Sequence, residues 1–166
     1  TEVETSFTWQ KDQSDLSGQS FTMEGLGRSY EAWIPLLGDH QIENAVTAVA
    51  AINTLVDAGF PVSDDSIMQG LRDVRWAGRL EVMEHEGRTI VIDGAHNPYS
   101  VKRLVEALRE YVDVQGRVIL VYAALGGHSA EGMLVALAPL EPEAIIVRSR
   151  HPRSGDTTRA ADAARE

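Results

Sequence analysis

In the stretch VIDGAHNPYS, residues 91–100, an apolar run ends at a carboxylate. A small Gly-Ala pair, an imidazole and an amide follow before a helical pattern can begin at Pro98. Asp93 could accept hydrogen bonds from two neighbouring hydroxyls, as a ribose would offer, and His96, beside the positive end of the coming helix, could meet a phosphate or a carboxylate. Asn97 is suited to cap that helix, with Pro98 in its first position. A plainer account stays open on these residues alone, since Asp, His and Asn also satisfy backbone groups in turns.

Two further segments carry polar groups in suggestive places. In GDHQIENAVTAVAA, residues 38–51, His40 and Asn44 are four apart and share one helix face, with Ala45 and Ala48 keeping the neighbouring surface low. Asparagine is a poor helix former. Either it satisfies a local backbone group or it offers its amide to a flat partner with donor and acceptor edges, such as adenine. In WAGRLE, residues 76–81, Arg79 follows a glycine and could clamp a phosphate with its planar fork. A metal site built from His40, Asp93 and His96 would need a further convergent ligand, so no metal ligands are assigned. No G-x-S-x-G elbow supports a serine nucleophile, and cysteine is absent altogether.

These side chains need a scaffold, and composition bounds it. The 166 residues are 43% hydrophobic and 24% charged, enough for one ordinary domain or two small ones. No apolar stretch is long enough to span a membrane and no secretory signal pattern opens the sequence, so a soluble, cytoplasmic protein is expected. The formal net charge of −10 opposes binding to nucleic acid or to an anionic membrane, while leaving local sites for small anions possible. The start at Thr1 and the uncapped helical pattern at the end, TTRAADAARE, suggest a piece of a longer protein.

Residues 1–35 alternate apolar and polar in short bursts and predict an antiparallel piece, with EGLGRS a turn. Neither a G-x-G-x-x-G nor a P-loop pattern is completed there. The period then becomes helical from residue 39, with Asp39 the expected N-cap and Gly59 the stop, and a short helix is entered through Ser63. After Arg75–Gly78 the rhythm changes again. RLEVMEHEGRTIVID predicts a hairpin, PYSVKRLVEALREYV a helix, GRVILVYAAL a buried strand, SAEGMLVALAPL a helix, EAIIVRS a strand and TTRAADAARE a helix. Strands alternating with helices predict a wound, mostly parallel α/β sheet, in which ligands sit beyond the carboxyl ends of the strands. Asp93 to Asn97 is such an end.

In order, GDHQIENAVTAVAAI, WAGRLEV and VIDGAHNPYSVKRL closely resemble the folylpolyglutamate synthase and dihydrofolate synthase family, a branch of the Mur ligase superfamily. The likeness runs from the first strands through HPRS at 151–154. It implies a Rossmann-like C-terminal Mur ligase domain over residues 75–166, preceded at 1–74 by the tail of the central ATPase domain. It implies an ATP-dependent amide ligase using Mg2+, in which a folate or dihydropteroate carboxylate is activated as an acyl phosphate and attacked by the amine of L-glutamate. By the same resemblance Asn44 would contact adenine, Arg79 a nucleotide phosphate, Asp93 the ribose, and His96 the phosphates or the incoming glutamate, as a catalytic or substrate-binding group. The P-loop, its lysine and the magnesium ligands would belong to an N-terminal domain outside this chain, leaving the chain alone inactive. Ala77 stands where the family usually has proline, and LGGHSAEGML replaces an Asp-Lys-Asp stretch. Other readings remain open at this stage: another Mur-type ligase, a nucleotide-binding oxidoreductase module suggested by Gly126 and Gly127 after a strand, or a non-catalytic interaction domain.

Overall fold

The structure, a computed structural model, describes residues 7–114, 116–123, 125–126 and 129–165. They pack as two compact units, Thr1–Ile92 and Asp93–Glu166. In the first unit, strands β1 (Phe7–Asp15), β2 (Gly18–Gly25) and β3 (Arg28–Ile34) form an antiparallel sheet in that order. Period-2 alternation sends Phe21 and Met23 of β2, and Tyr30, Ala32 and Ile34 of β3, to one face. Helix α1 (Asp39–Asp57) covers that face with Ile42, Val46 and Val49, spaced three and four apart, and α2 (Asp64–Asp73) adds Ile67.

The connections follow turn chemistry. The two-residue loops Leu26–Gly27 and Glu86–Gly87 have positive φ throughout, 51° and 76° in one and 50° and 71° in the other, matching the twist of a tight hairpin. The second loop joins β4 (Glu81–His85) to β5 (Arg88–Ile92), the expected hairpin. Ser63 caps α2 by accepting from Ser66 N at 3.2 Å. At α1 the expectation of an Asp39 cap is corrected: Gly38, at φ 95°, is the cap residue and makes no side-chain cap bond. Asp39 is already helical, and its carboxylate receives Lys11 Nζ from β1 at 2.7 Å. The buried Gln19 side chain instead ties down the approach to the helix, donating to the carbonyls of Leu36 and Gly38 at 2.8 and 2.9 Å.

In the second unit, α3 (Pro98–Tyr111) leads to β6 (Ile119–Tyr122), α4 (Ala130–Leu137), a short 3-10 turn (Ala138–Leu140), β7 (Glu143–Ile146) and α5 (Thr157–Ala163). Strands β6 and β7 pair in parallel across the α4 crossover, the winding expected of an α/β sheet. Val101 and Val105 of α3, Tyr122 of β6, Met133, Leu134 and Leu137 of α4 and Ala160 of α5 form the core. The expectation of a buried strand needs correcting for β6. Its Ile119 and Val121 are 51% and 64% exposed, because the helices cover only the Leu120 and Tyr122 side.

Candidate functional site

Asp93 follows β5 directly and is half-buried, with its Oδ1 accepting from Ala95 N at 2.7 Å. This short Asp-to-backbone turn folds the chain back toward α3. His96 is exposed, and its Nδ1 lies 3.1 Å from Gly94 O, which makes Nδ1 the protonated nitrogen. Asn97 Oδ1 accepts from Ser100 N at 2.8 Å. Ser100 Oγ in turn accepts from Asn97 N at 3.2 Å and from His96 N at 3.1 Å. The result is a reciprocal capping box with Pro98 in the first turn. A 14-residue helix thus points its positive end at the loop that carries Asp93 and His96. The structure brings these two residues together.

Asn44 and Arg79 belong to the first unit. Asn44 is exposed on α1, and its Nδ2 donates to Gln41 Oε1 at 3.2 Å. Gln41 also reaches His40, with Nε2 to Nε2 at 3.2 Å. The shared face of His40 and Asn44 is therefore real, but Gln41 links them, a role that periodicity alone did not suggest. Arg79 is half-buried, between Gly78 at φ 72° and the buried Leu80 at φ 42°, and Gly78 N donates to Glu81 Oε2 at 2.9 Å. Among the described residues no hydrogen bond or ion pair takes up the Arg79 guanidinium.

A cleft of about 270 Å³ opens in the second unit beyond the carboxyl ends of β6 and β7, which sequence reasoning placed only in general terms. Tyr122, Ile146, Ser129, Asp156 and Arg159 are among its walls. Burial pushes the Tyr122 phenol above its ordinary range. Two helix starts meet the cleft, with Ser129 capping α4 through Gly132 N at 3.1 Å and Asp156 capping α5 through Thr158 N at 2.8 Å. Gly132 also passes close to Pro98: a Cβ there would lie 2.9 Å from the proline ring, so the small residue is required for α4 to seat against the start of α3. Ser100 was legible in principle, as the N3 partner of an Asn97 cap, whereas no local signal marks Gly132. Gly127 lies outside the described residues; Gly126 N donates to Arg153 O at 2.6 Å. No group of three or more His, Cys, Asp or Glu side chains able to hold a metal is found among the described residues.

Comparison with known proteins places this combination of elements in a family. Residues 78–166 match the family described as Mur ligase, glutamate ligase domain, and the chain belongs to that family. It is 32% identical over 166 residues to the dihydrofolate synthase/folylpolyglutamate synthase of Mycobacterium tuberculosis, covering 98% of this chain and 34% of that protein. It is 33% identical over 144 residues to the UDP-N-acetylmuramoyl-L-alanyl-D-glutamate–2,6-diaminopimelate ligase of Bradyrhizobium diazoefficiens, covering 84% of this chain and 28% of that one. A crystal structure of Mycobacterium tuberculosis folylpolyglutamate synthase complexed with ADP and AMPPCP matches with a TM-score of 0.86 at 31% identity, over 97% of this chain and 36% of that one. The chain spans about a third of the length of these relatives. Its family replaces the oxidoreductase alternative raised by the glycines after β6.

Proposed function

We propose that this chain is the C-terminal part of a cytoplasmic ATP-dependent ligase that adds L-glutamate to a folate, to dihydropteroate, or to both. The observation that carries the reading is the similarity to the dihydrofolate synthase/folylpolyglutamate synthase of Mycobacterium tuberculosis along 98% of this chain. The domain division falls at Arg75–Gly78, giving 1–74 to the ATPase domain and 75–166 to the glutamate ligase domain. The family match beginning at residue 78 supports that placement, although the hairpin β4–β5 packs with the first unit.

In this reading each unit brings its own residues to a nucleotide. Asn44 offers an exposed amide to adenine, Arg79 a cation without a described partner to a phosphate, and Asp93 a carboxylate to the ribose. A carboxylate has about four acceptor positions, so Asp93 can serve its own turn and a ribose together. His96, its Nδ1 engaged by Gly94 O, is the group this reading gives to the phosphates or the glutamate. ATP supplies the phosphoryl group that activates the acceptor carboxylate. The chain's own residues bind and orient the nucleotide, and the helix end behind His96 favours negative charge in front of it. In this reading the Mg2+ ligands belong to the P-loop domain of the full-length protein.

The test is product formation by the full-length protein given Mg-ATP and L-glutamate with dihydropteroate or a reduced folate, read by mass spectrometry. Glutamylated product is expected. The diaminopimelate ligase similarity, over 84% of this chain, supports a less favoured second reading as a ligase of that type. Product only from a UDP-muramoyl dipeptide and diaminopimelate would establish that reading and overturn the first.

A further inference from the structure

We infer that Gln41 is a positioning residue for base selection: it pins the Asn44 amide so that the Asn44 carbonyl oxygen faces outward, accepting from a 6-amino purine and opposing a 6-oxo purine. This rests on the reading of Asn44 as the base contact.

Gln41 is 8% exposed, and it belongs to the small set of buried polar side chains among the described residues, with Gln19 and Asn53. A buried amide is costly unless its groups are bonded. Its neighbours Ile42 and Ala45 sink into the core of the first unit, which fixes the face of α1 that carries it. From that position Oε1 accepts from Asn44 Nδ2 and Nε2 donates to His40 Nε2, each at 3.2 Å. The Asn44 amide is thereby oriented, one of its two N–H groups bound to Gln41. No hydrogen bond among the described residues uses Asn44 Oδ1, and the residue is exposed.

An unrestrained asparagine can turn its amide over and exchange donor for acceptor, so alone it would serve adenine and hypoxanthine alike. Pinning removes that freedom. With the carbonyl outward, the 6-amino group of ATP is bonded, while the 6-oxo group of ITP meets an acceptor with an acceptor. Selectivity of this kind comes from the unpaired contact with the wrong ligand as much as from the bond to the right one.

The experiment compares kcat/KM for ATP and for ITP in the full-length protein. Asn44→Ala and Gln41→Met should each lower the ATP/ITP ratio by roughly tenfold or more. Gln41→Glu, which still accepts from Asn44 Nδ2, should keep most of the ratio. Should the methionine variant fail to fold, Gln41→Asn withdraws the amide by one methylene and should show the same drop. A ratio that falls in Asn44→Ala but survives in Gln41→Met, or in Gln41→Asn where methionine does not fold, overturns the inference and spares the base contact. An equal fall in Gln41→Met and Gln41→Glu assigns Gln41 to packing alone and also overturns it. An unchanged ratio in Asn44→Ala removes the base contact itself, and the role of Gln41 with it.

Discussion

The two units hold their candidate residues by different means. In the first, Phe21, Met23, Ile34, Ile42 and Val49 are fully buried along with the polar Gln19 and Asn53, and the helix that presents Asn44 is pressed onto a sheet. Among the described residues of the second, Met133 alone joins that most-buried group, and one side of the β6–β7 pair stays open, with Ile119, Val121, Ile145 and Val147 exposed. There the loop with Asp93 and His96 is set by local hydrogen bonds: the Asp93–Ala95 turn, the Asn97–Ser100 capping box and the close Gly132–Pro98 seat. Core packing positions the candidate residue Asn44 within the first unit, and helix capping positions Asp93 and His96 within the second. Damage should therefore travel differently in the two.

The largest effect is expected in the first unit. Phe21 has no exposed surface, so Phe21→Ala should cost about 3–5 kcal/mol from lost burial and the cavity left behind. Val121→Ala on the open side of β6 should stay within about 0.5 kcal/mol. Urea unfolding of both variants measures the contrast, and equal losses would mean that the exposed side of β6 is covered in the protein in solution. A smaller effect should follow from Asn97→Ala, which removes the acceptor for Ser100 N and should cost about 1 kcal/mol. The same change should raise KM for ATP in the full-length enzyme, because His96 N and Asn97 N both depend on Ser100. Hydrogen exchange confined to the first turn of α3 would locate the loss, whereas a uniform increase would argue that the cap holds more than its own loop.

What could be read from the chain beforehand follows the same division. Caps and tight turns are local, so Ser63, the Asn97–Pro98 start and the glycine turns at 27 and 87 were legible from a few residues each. Asp39 misled because its carboxylate is taken by Lys11, 28 positions away, leaving Gly38 to open the helix. Residues 117–125 are as apolar as a buried strand should be, but which side of a strand is covered depends on helices that arrive later in the chain. The aspartate, histidine and asparagine of the candidate site were visible by type and spacing. Gln41 and Gly132 were not, since the importance of each rests on a contact that only packing creates.

The central claim, that the capped loop after β5 is a nucleotide contact, is tested most directly by Asp93→Asn in the full-length enzyme. Asparagine can still accept from Ala95 N, so the turn and the melting temperature should be preserved. The charge-assisted bonds to a ribose would be lost, at roughly 1.5–3 kcal/mol, or about one to two decades in kcat/KM for ATP. A reduced kcat/KM with an unchanged melting temperature is the result predicted here. A lowered melting temperature with unchanged ATP kinetics would contradict it and leave Asp93 as a residue of the turn alone.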